Sequence, residues 1–90
     1  MKTIPNHVSA YSTSPVFTQD TIPERLRHDH HTKDETWAKI HVKEGVLLYY
    51  IDDAETPERL TADRPGVIEP NVRHRVEPEG EVKFFIEFYH

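Results

Sequence analysis

The chain has 90 residues and a mass of 10.6 kDa, with 16 acidic against 11 basic residues, a formal charge of −5 and an isoelectric point near 5.7. That length holds one small domain and excludes a second core. The negative balance offers no overall basic field to a phosphate backbone, so nucleic acid is not an expected partner. The absence of cysteine excludes disulfides, thiolate metal centres and a cysteine nucleophile, and it suits a reducing, cytoplasmic location.

Leu, Ile, Val and Phe make up 22 of the 90 residues, above the roughly 20% floor of disordered chains, so a thin core is expected. A core this thin gains from burying an edge strand against a second copy, which makes a homodimer the expected assembly. No stretch approaches the roughly 18 apolar residues of a membrane span, and the first 20 residues lack a signal-peptide apolar region. Membrane is therefore not an expected partner.

In chain order, residues 1–10 carry the weakest pattern and read as a tail or as an arm that pairs with an edge strand, with the folded domain spanning 11–90. Pro23-Glu24-Arg25-Leu26 supports one helical turn at most. Residues 37–43 alternate, with Ala38, Ile40 and Val42 on one face and Trp37, Lys39, His41 and Lys43 on the other. Glu44-Gly45 reads as the turn of a hairpin into 46–52, whose nearly continuous apolar run predicts a strand buried on both faces. An acidic loop over 52–58 follows, and then Asp63-Arg64-Pro65-Gly66, with Pro and Gly where a type II turn wants them. Residues 67–76 read as strand, tight turn and strand: Asn71 tolerates a left-handed backbone at the reversal, and His74 opens the second strand. Glu77-Pro78-Glu79-Gly80 reads as a second acidic loop. Residues 82–89 form a core strand with Val82, Phe84, Ile86 and Phe88 inward. The sum is an all-β domain, a single small barrel of antiparallel strands.

Seven histidines stand out, four of them (His28, His30, His31 and His41) within fourteen residues. On an extended segment His28 and His30 share a face and His31 opposes them. His74 sits behind a stiff turn at a sheet rim, the rigid support that a metal ligand needs. No Ser–His–Asp or paired-carboxylate spacing is recognisable, so no catalytic residue is assigned and enzymatic activity stays open. Glu69 and Glu87 lie among apolar residues and call for partners such as Arg73, Arg75 or Lys83. Lys33 reads as a surface charge. Arg25, Arg27, Arg73 and Arg75 could form a local positive strip, enough for a small oxyanion.

Residues 68–76 are similar to the second cupin motif, usually Ile-Pro-Pro-Gly-x-x-His-x-Val, and His28-Asp29-His30 with Glu35 and Gly45 is similar to a loosened first one. Pro15-Val16-Phe17-Thr18, His30-His31-Thr32-Lys33, Trp37, Pro65-Gly66-Val67-Ile68-Glu69-Pro70, His74-Arg75-Val76 and Phe84-x-Ile86-Glu87-Phe88 add to the match. Together they resemble the small cupin-like domain that precedes the methyltransferase in some tellurite-resistance B (TehB) proteins and that occurs alone as YeaR-like proteins. The resemblance runs from residue 11 to 89. It implies a small jelly-roll barrel with a pocket at one mouth, often metal-binding, in a family of poorly defined activity with a possible link to tellurite or oxidative stress. It does not carry over methyltransferase activity, because the chain has no glycine-rich nucleotide loop and no α/β region.

On that resemblance His30 and His74 face one another across the mouth and bind a divalent metal, with help from His28 and, less strongly, Glu35 or His41. Zinc is the first choice, with iron, nickel or manganese as alternatives. The metal would in turn hold a small molecule or oxyanion. Two departures bear on the site: Glu35 stands where relatives have glycine, and Ala38 occupies the position of the cupin carboxylate ligand. The alternatives are a metal-free small-ligand or oxyanion module and a structural dimerisation domain.

Overall fold

Two long strands carry the architecture because two stretches of the sequence keep their inward side chains apolar for about fifteen residues each. The structure, a computed structural model, describes residues 2–28, 35–52 and 54–90. The expectations placed on His30, His31 and Lys33 lie outside the described residues. Strands β1 (Ala10–Thr13) and β2 (Phe17–Thr18) precede one turn of 3₁₀ helix at Glu24–Leu26. Then come β3 (Trp37–Ile51), β4 (Glu58–Leu60), β5 (Gly66–Ile68) and β6 (His74–Tyr89).

All pairings are antiparallel, so the all-β expectation holds. β3 and β6 pair along nearly their whole length, from Trp37↔Tyr89 to Ile51↔His74. The outer side of β6 takes β1 and β2 in succession, and the outer side of β3 takes β5 and β4. Among the described residues the β1/β2 edge does not pair with the β4/β5 edge. The result is one open, bent sheet, whereas the sequence suggested a closed barrel; the four flanking strands are two to four residues long, too short to meet around the far side.

The bend comes from two irregularities. On β3, Lys43 is an extra residue between the pairs Val42↔Phe84 and Glu44↔Lys83; on β6, Gly80 and Glu81 are extra between Gly45↔Val82 and Val46↔Glu79. One inserted residue changes the phase of β3, so the buried positions are Ala38, Ile40 and Val42 before it and Leu47 and Tyr49 after it. Two inserted residues leave the phase of β6 unchanged, from Val76 to Val82, Phe84 and Ile86. Gly45 has φ +81, and a Cβ there would lie 2.1 Å from the Glu81 carbonyl oxygen, so only glycine fits. The expected hairpin at Glu44-Gly45 and the expected loop over 77–80 are thus both strand interior. A positive-φ glycine serves a turn or a bulge equally well, which is why the sequence pattern misled.

Bending lets the two halves of the sheet close on each other as a single core. Tyr49 reaches across, and its hydroxyl donates to the Val67 carbonyl at 3.0 Å. Gly66 is a strand residue without positive φ, and a Cβ there would meet Leu60 Cδ1 at 2.7 Å and Tyr49 Cδ2 at 3.2 Å. The chain reverses two residues before the expected turn: Arg64 N–H donates to the Thr61 carbonyl at 3.0 Å, and Gly66 is required for close packing. Residues 46–52 are buried on one face only; Val46, Leu48 and Tyr50 are half-buried, and the Arg75 guanidinium lies 3.7 Å from the centre of the Tyr50 ring.

Candidate functional site

Among the described residues His74 is the only polar or charged side chain that is buried, at 2% exposure. A buried polar group is the observation that asks for an explanation, more than any exposed apolar one. Its position follows from the β5–β6 turn. Asn71 takes φ +60, as expected from the sequence, and the Asp52 amide donates to the Arg73 carbonyl at 2.6 Å, tying the turn to the end of β3. His74 Nδ1 lies 3.0 Å from the Val72 carbonyl. A carbonyl only accepts, so Nδ1 carries the hydrogen of this bond. The ring packs edge-on against Tyr49, with centroids 6.0 Å apart. Burial, with the Glu69 charge second, holds the Tyr49 hydroxyl far above the ordinary phenol range, so it stays a neutral donor.

His74 lines a cavity of about 270 Å³. Phe17, Leu26, Ile68, Ile86 and Phe88 supply apolar walls, and Ser14 and Arg25 also line it. Ser14 fills the gap between β1 and β2 by hydrogen-bonding β6 twice: its amide donates to the Ile86 carbonyl at 2.8 Å, and its hydroxyl oxygen accepts from the Ile86 amide at 2.9 Å. The 3₁₀ turn is pinned by Leu26, which is 7% exposed, and this brings the preceding residue, Arg25, to the cavity. Residue-level reasoning missed Ser14 and Phe17 as lining residues; the signal was the Pro15–Thr18 stretch quoted above as a family motif.

The other residues singled out from the sequence stand elsewhere. His28 is exposed and pairs through Nε2 with Glu24 at 3.0 Å, one helical turn away. Glu35 is exposed, has φ +64, and lines a separate recess with His7, Val8, Trp37 and His90. Neither lines the His74 cavity, and among the described residues no group of three His, Asp or Glu side chains is arranged to hold a metal. His41 lies on the outer face of the sheet, stacked on Phe85 at 4.8 Å, and its Nε2 meets Glu87 Oε1 at 3.0 Å. The Tyr89 hydroxyl donates to the same oxygen at 2.6 Å. These bonds, Tyr89 first, hold the Glu87 carboxyl below its ordinary value, and Glu87 in turn pushes the Tyr89 hydroxyl up to about 12. Glu69 pairs with Lys2 at 3.2 Å. Both strand glutamates are thus partnered, Glu69 by Lys2 and Glu87 by His41 and Tyr89.

A larger recess of about 520 Å³ opens at the bulge beside Gly45. Its charged side chains are Asp20, Glu44, Glu81 and Lys83, with Lys83 and Glu44 already paired at 3.2 Å. It has no buried polar group to orient a ligand, so the His74 cavity is the stronger site. Among the described residues no helix is long and apolar enough to cross a membrane.

Comparison with known proteins agrees with the fold. Two curated relatives from Haemophilus influenzae, both named probable S-adenosyl-L-methionine-dependent methyltransferase TehB, are 32% and 31% identical over 81 residues, 80% of this chain. The chain spans about a quarter of their length, 27% in each case. The crystal structure of TehB from Haemophilus influenzae superposes with a TM-score of 0.85 at 30% identity, covering 93% of this chain and 32% of that one. A crystal structure of a protein from Escherichia coli strain K12 superposes at 0.87 over 100% of this chain and 97% of that one; at 21% identity it speaks for the fold alone. Residues 12–86 match the TehB-like domain, and the chain belongs to that family.

Proposed function

We propose that this chain is a small-ligand-binding domain of the cupin-like, YeaR-like kind, and that its site is the His74 cavity. The observation that carries the reading is the pinned imidazole: a buried histidine whose Nδ1 hydrogen is held by a backbone carbonyl, on the wall of a mainly apolar cavity, is a specificity element of the sort small-molecule sites use. The relationship to TehB supports a role in a tellurite or oxidative-stress setting. Methyl transfer is not carried over from the longer relatives, because the regular structure among the described residues is strand apart from one 3₁₀ turn. Tyr11 and Val16, exposed at 53% and 47% along the β1/β2 edge, support pairing of that edge with a second copy.

A second reading rests on the same hydrogen bond. Metal-binding histidines commonly donate their other ring N–H to a backbone carbonyl, which fixes the ring and leaves one nitrogen for the metal. The Nδ1 bond of His74 to the Val72 carbonyl is of that kind, and on this reading His30 would supply a second imidazole. Bound there, a divalent ion would act as a Lewis acid that holds an oxyanion.

The test of the site is a nuclear magnetic resonance titration of the whole chain with a panel of small organic probes, beside elemental analysis of the tag-free protein. Saturable shifts confined to Phe17, Ile68, His74, Ile86 and Phe88 are expected; shifts at the Gly45 recess alone, or none, overturn the assignment. About one metal per chain, lost in a folded His74→Gln variant, selects the second reading, and metal-free protein that still binds the probes selects the first.

A further inference from the structure

The chain has six arginines, and five of them face carboxylates. Arg27 pairs with Glu77 at 3.0 Å, Arg73 with Asp52 at 3.7 Å and Arg75 with Glu77 at 3.9 Å; Arg59 pairs with Glu79 and Arg64 with Glu58. The positive strip suggested by the sequence is therefore largely neutralised. Arg25 is the exception: among the described residues it forms no ion pair, in a chain where acids outnumber bases by 16 to 11. It is held on a short helical turn anchored by Leu26, and it lines the His74 cavity. No acidic residue lines that cavity among the described residues.

An unpaired guanidinium beside apolar walls is complementary to a molecule with one anionic end and an apolar body. A volume of about 270 Å³ corresponds to roughly nine water molecules at about 30 Å³ each, so the occupant has on the order of ten non-hydrogen atoms. Inorganic oxyanions leave Phe17, Ile68, Ile86 and Phe88 without contact, and nucleotides or long-chain fatty acids exceed the space. We propose that the cavity binds a small monocarboxylic acid with a compact apolar body, of the size of hexanoate or benzoate, its carboxylate on Arg25 and its body against those four side chains. The proposal rests on the reading of the His74 cavity as the ligand site.

Hexanoate and hexanamide have the same length and differ in charge, so their comparison isolates the Arg25 contribution. Calorimetric and nuclear magnetic resonance titrations of the whole chain at neutral pH and low salt are expected to show hexanoate binding about tenfold more tightly, the scale of one charge-assisted hydrogen bond. Arg25→Gln, at an exposed position, is expected to keep the unfolding midpoint, bring hexanoate down to the hexanamide level and leave hexanamide unchanged. Equal binding of the two in the parent, or a preference that survives Arg25→Gln, overturns the carboxylate assignment while the cavity reading stands. If neither probe moves the Phe17, Ile68 or Phe88 resonances, the cavity reading falls and takes the proposal with it.

Discussion

Gly45 and Gly80 both have positive φ, at 81° and 74°, yet they answer to different constraints. A Cβ at Gly80 meets nothing within 4 Å, so Gly80→Ala carries only the left-handed backbone cost, about 1–2 kcal/mol. A Cβ at Gly45 runs into the Glu81 backbone, so Gly45→Ala adds a clash that no side chain can relieve, and its cost is expected to exceed that of Gly80→Ala by at least about 1 kcal/mol in urea unfolding. Glu87 gives a pH-dependent expectation at the same scale. Its carboxyl is held low, so its contribution is present above the ordinary carboxylate range near pH 4.3 and is lost as pH falls through the lowered folded value. The Tyr89 hydroxyl is raised, so its contribution is present below about pH 10 and is lost as pH rises towards 12. Stability profiles against pH should show Glu87→Gln flattening both limbs, and Tyr89→Phe flattening the alkaline limb and weakening the acid limb, where the His41 bond still holds Glu87 low. Asn71 was readable as a left-handed residue because proline before it and strands on both sides leave few alternatives; the partners of Glu69 and Glu87 were not, because Lys2 and His41 reach them across long stretches of chain.

At the scale of elements, the alternation in 37–43 and 82–89 identified which side chains face inward, since a half-buried sheet leaves that pattern directly in the sequence. The connection between 43 and 46 was opaque. Glycine after an acidic residue fits a hairpin as well as a bulge, and only the pairing of β3 with β6, forty residues apart in sequence, distinguishes them. Lys43 is therefore the residue on which the bend depends. Its side chain is exposed, so Lys43→Ala should alter stability by no more than about 0.5 kcal/mol. Deleting the residue should instead remove the bulge and separate Gly66 from Leu60 and Tyr49, so that the cooperative unfolding transition is lost. A deletion variant that unfolds as cooperatively as the parent would show that the bend does not depend on this insertion.

For the molecule as a whole, the family and the all-β class could be read from ordered short motifs, whereas the cavity could not. Its walls come from β1–β2, the 3₁₀ turn, β5 and β6, segments that are distant in sequence and meet only after the sheet folds over. The position of His74 behind its turn could be read from the sequence because that turn is local; Arg25 was noted for its charge, but that it forms no ion pair among the described residues is a three-dimensional fact. The central claim is that His74, its Nδ1 hydrogen held by the Val72 carbonyl, lies at a ligand cavity, and the imidazole ¹⁵N spectrum of His74, recorded alone and with zinc or hexanoate, tests it most directly. The expected result is a hydrogen on Nδ1 and a saturable shift of the ring signals with at least one of the two additions. A ring without a hydrogen on Nδ1, or a His74 signal indifferent to both additions in folded protein, would contradict it.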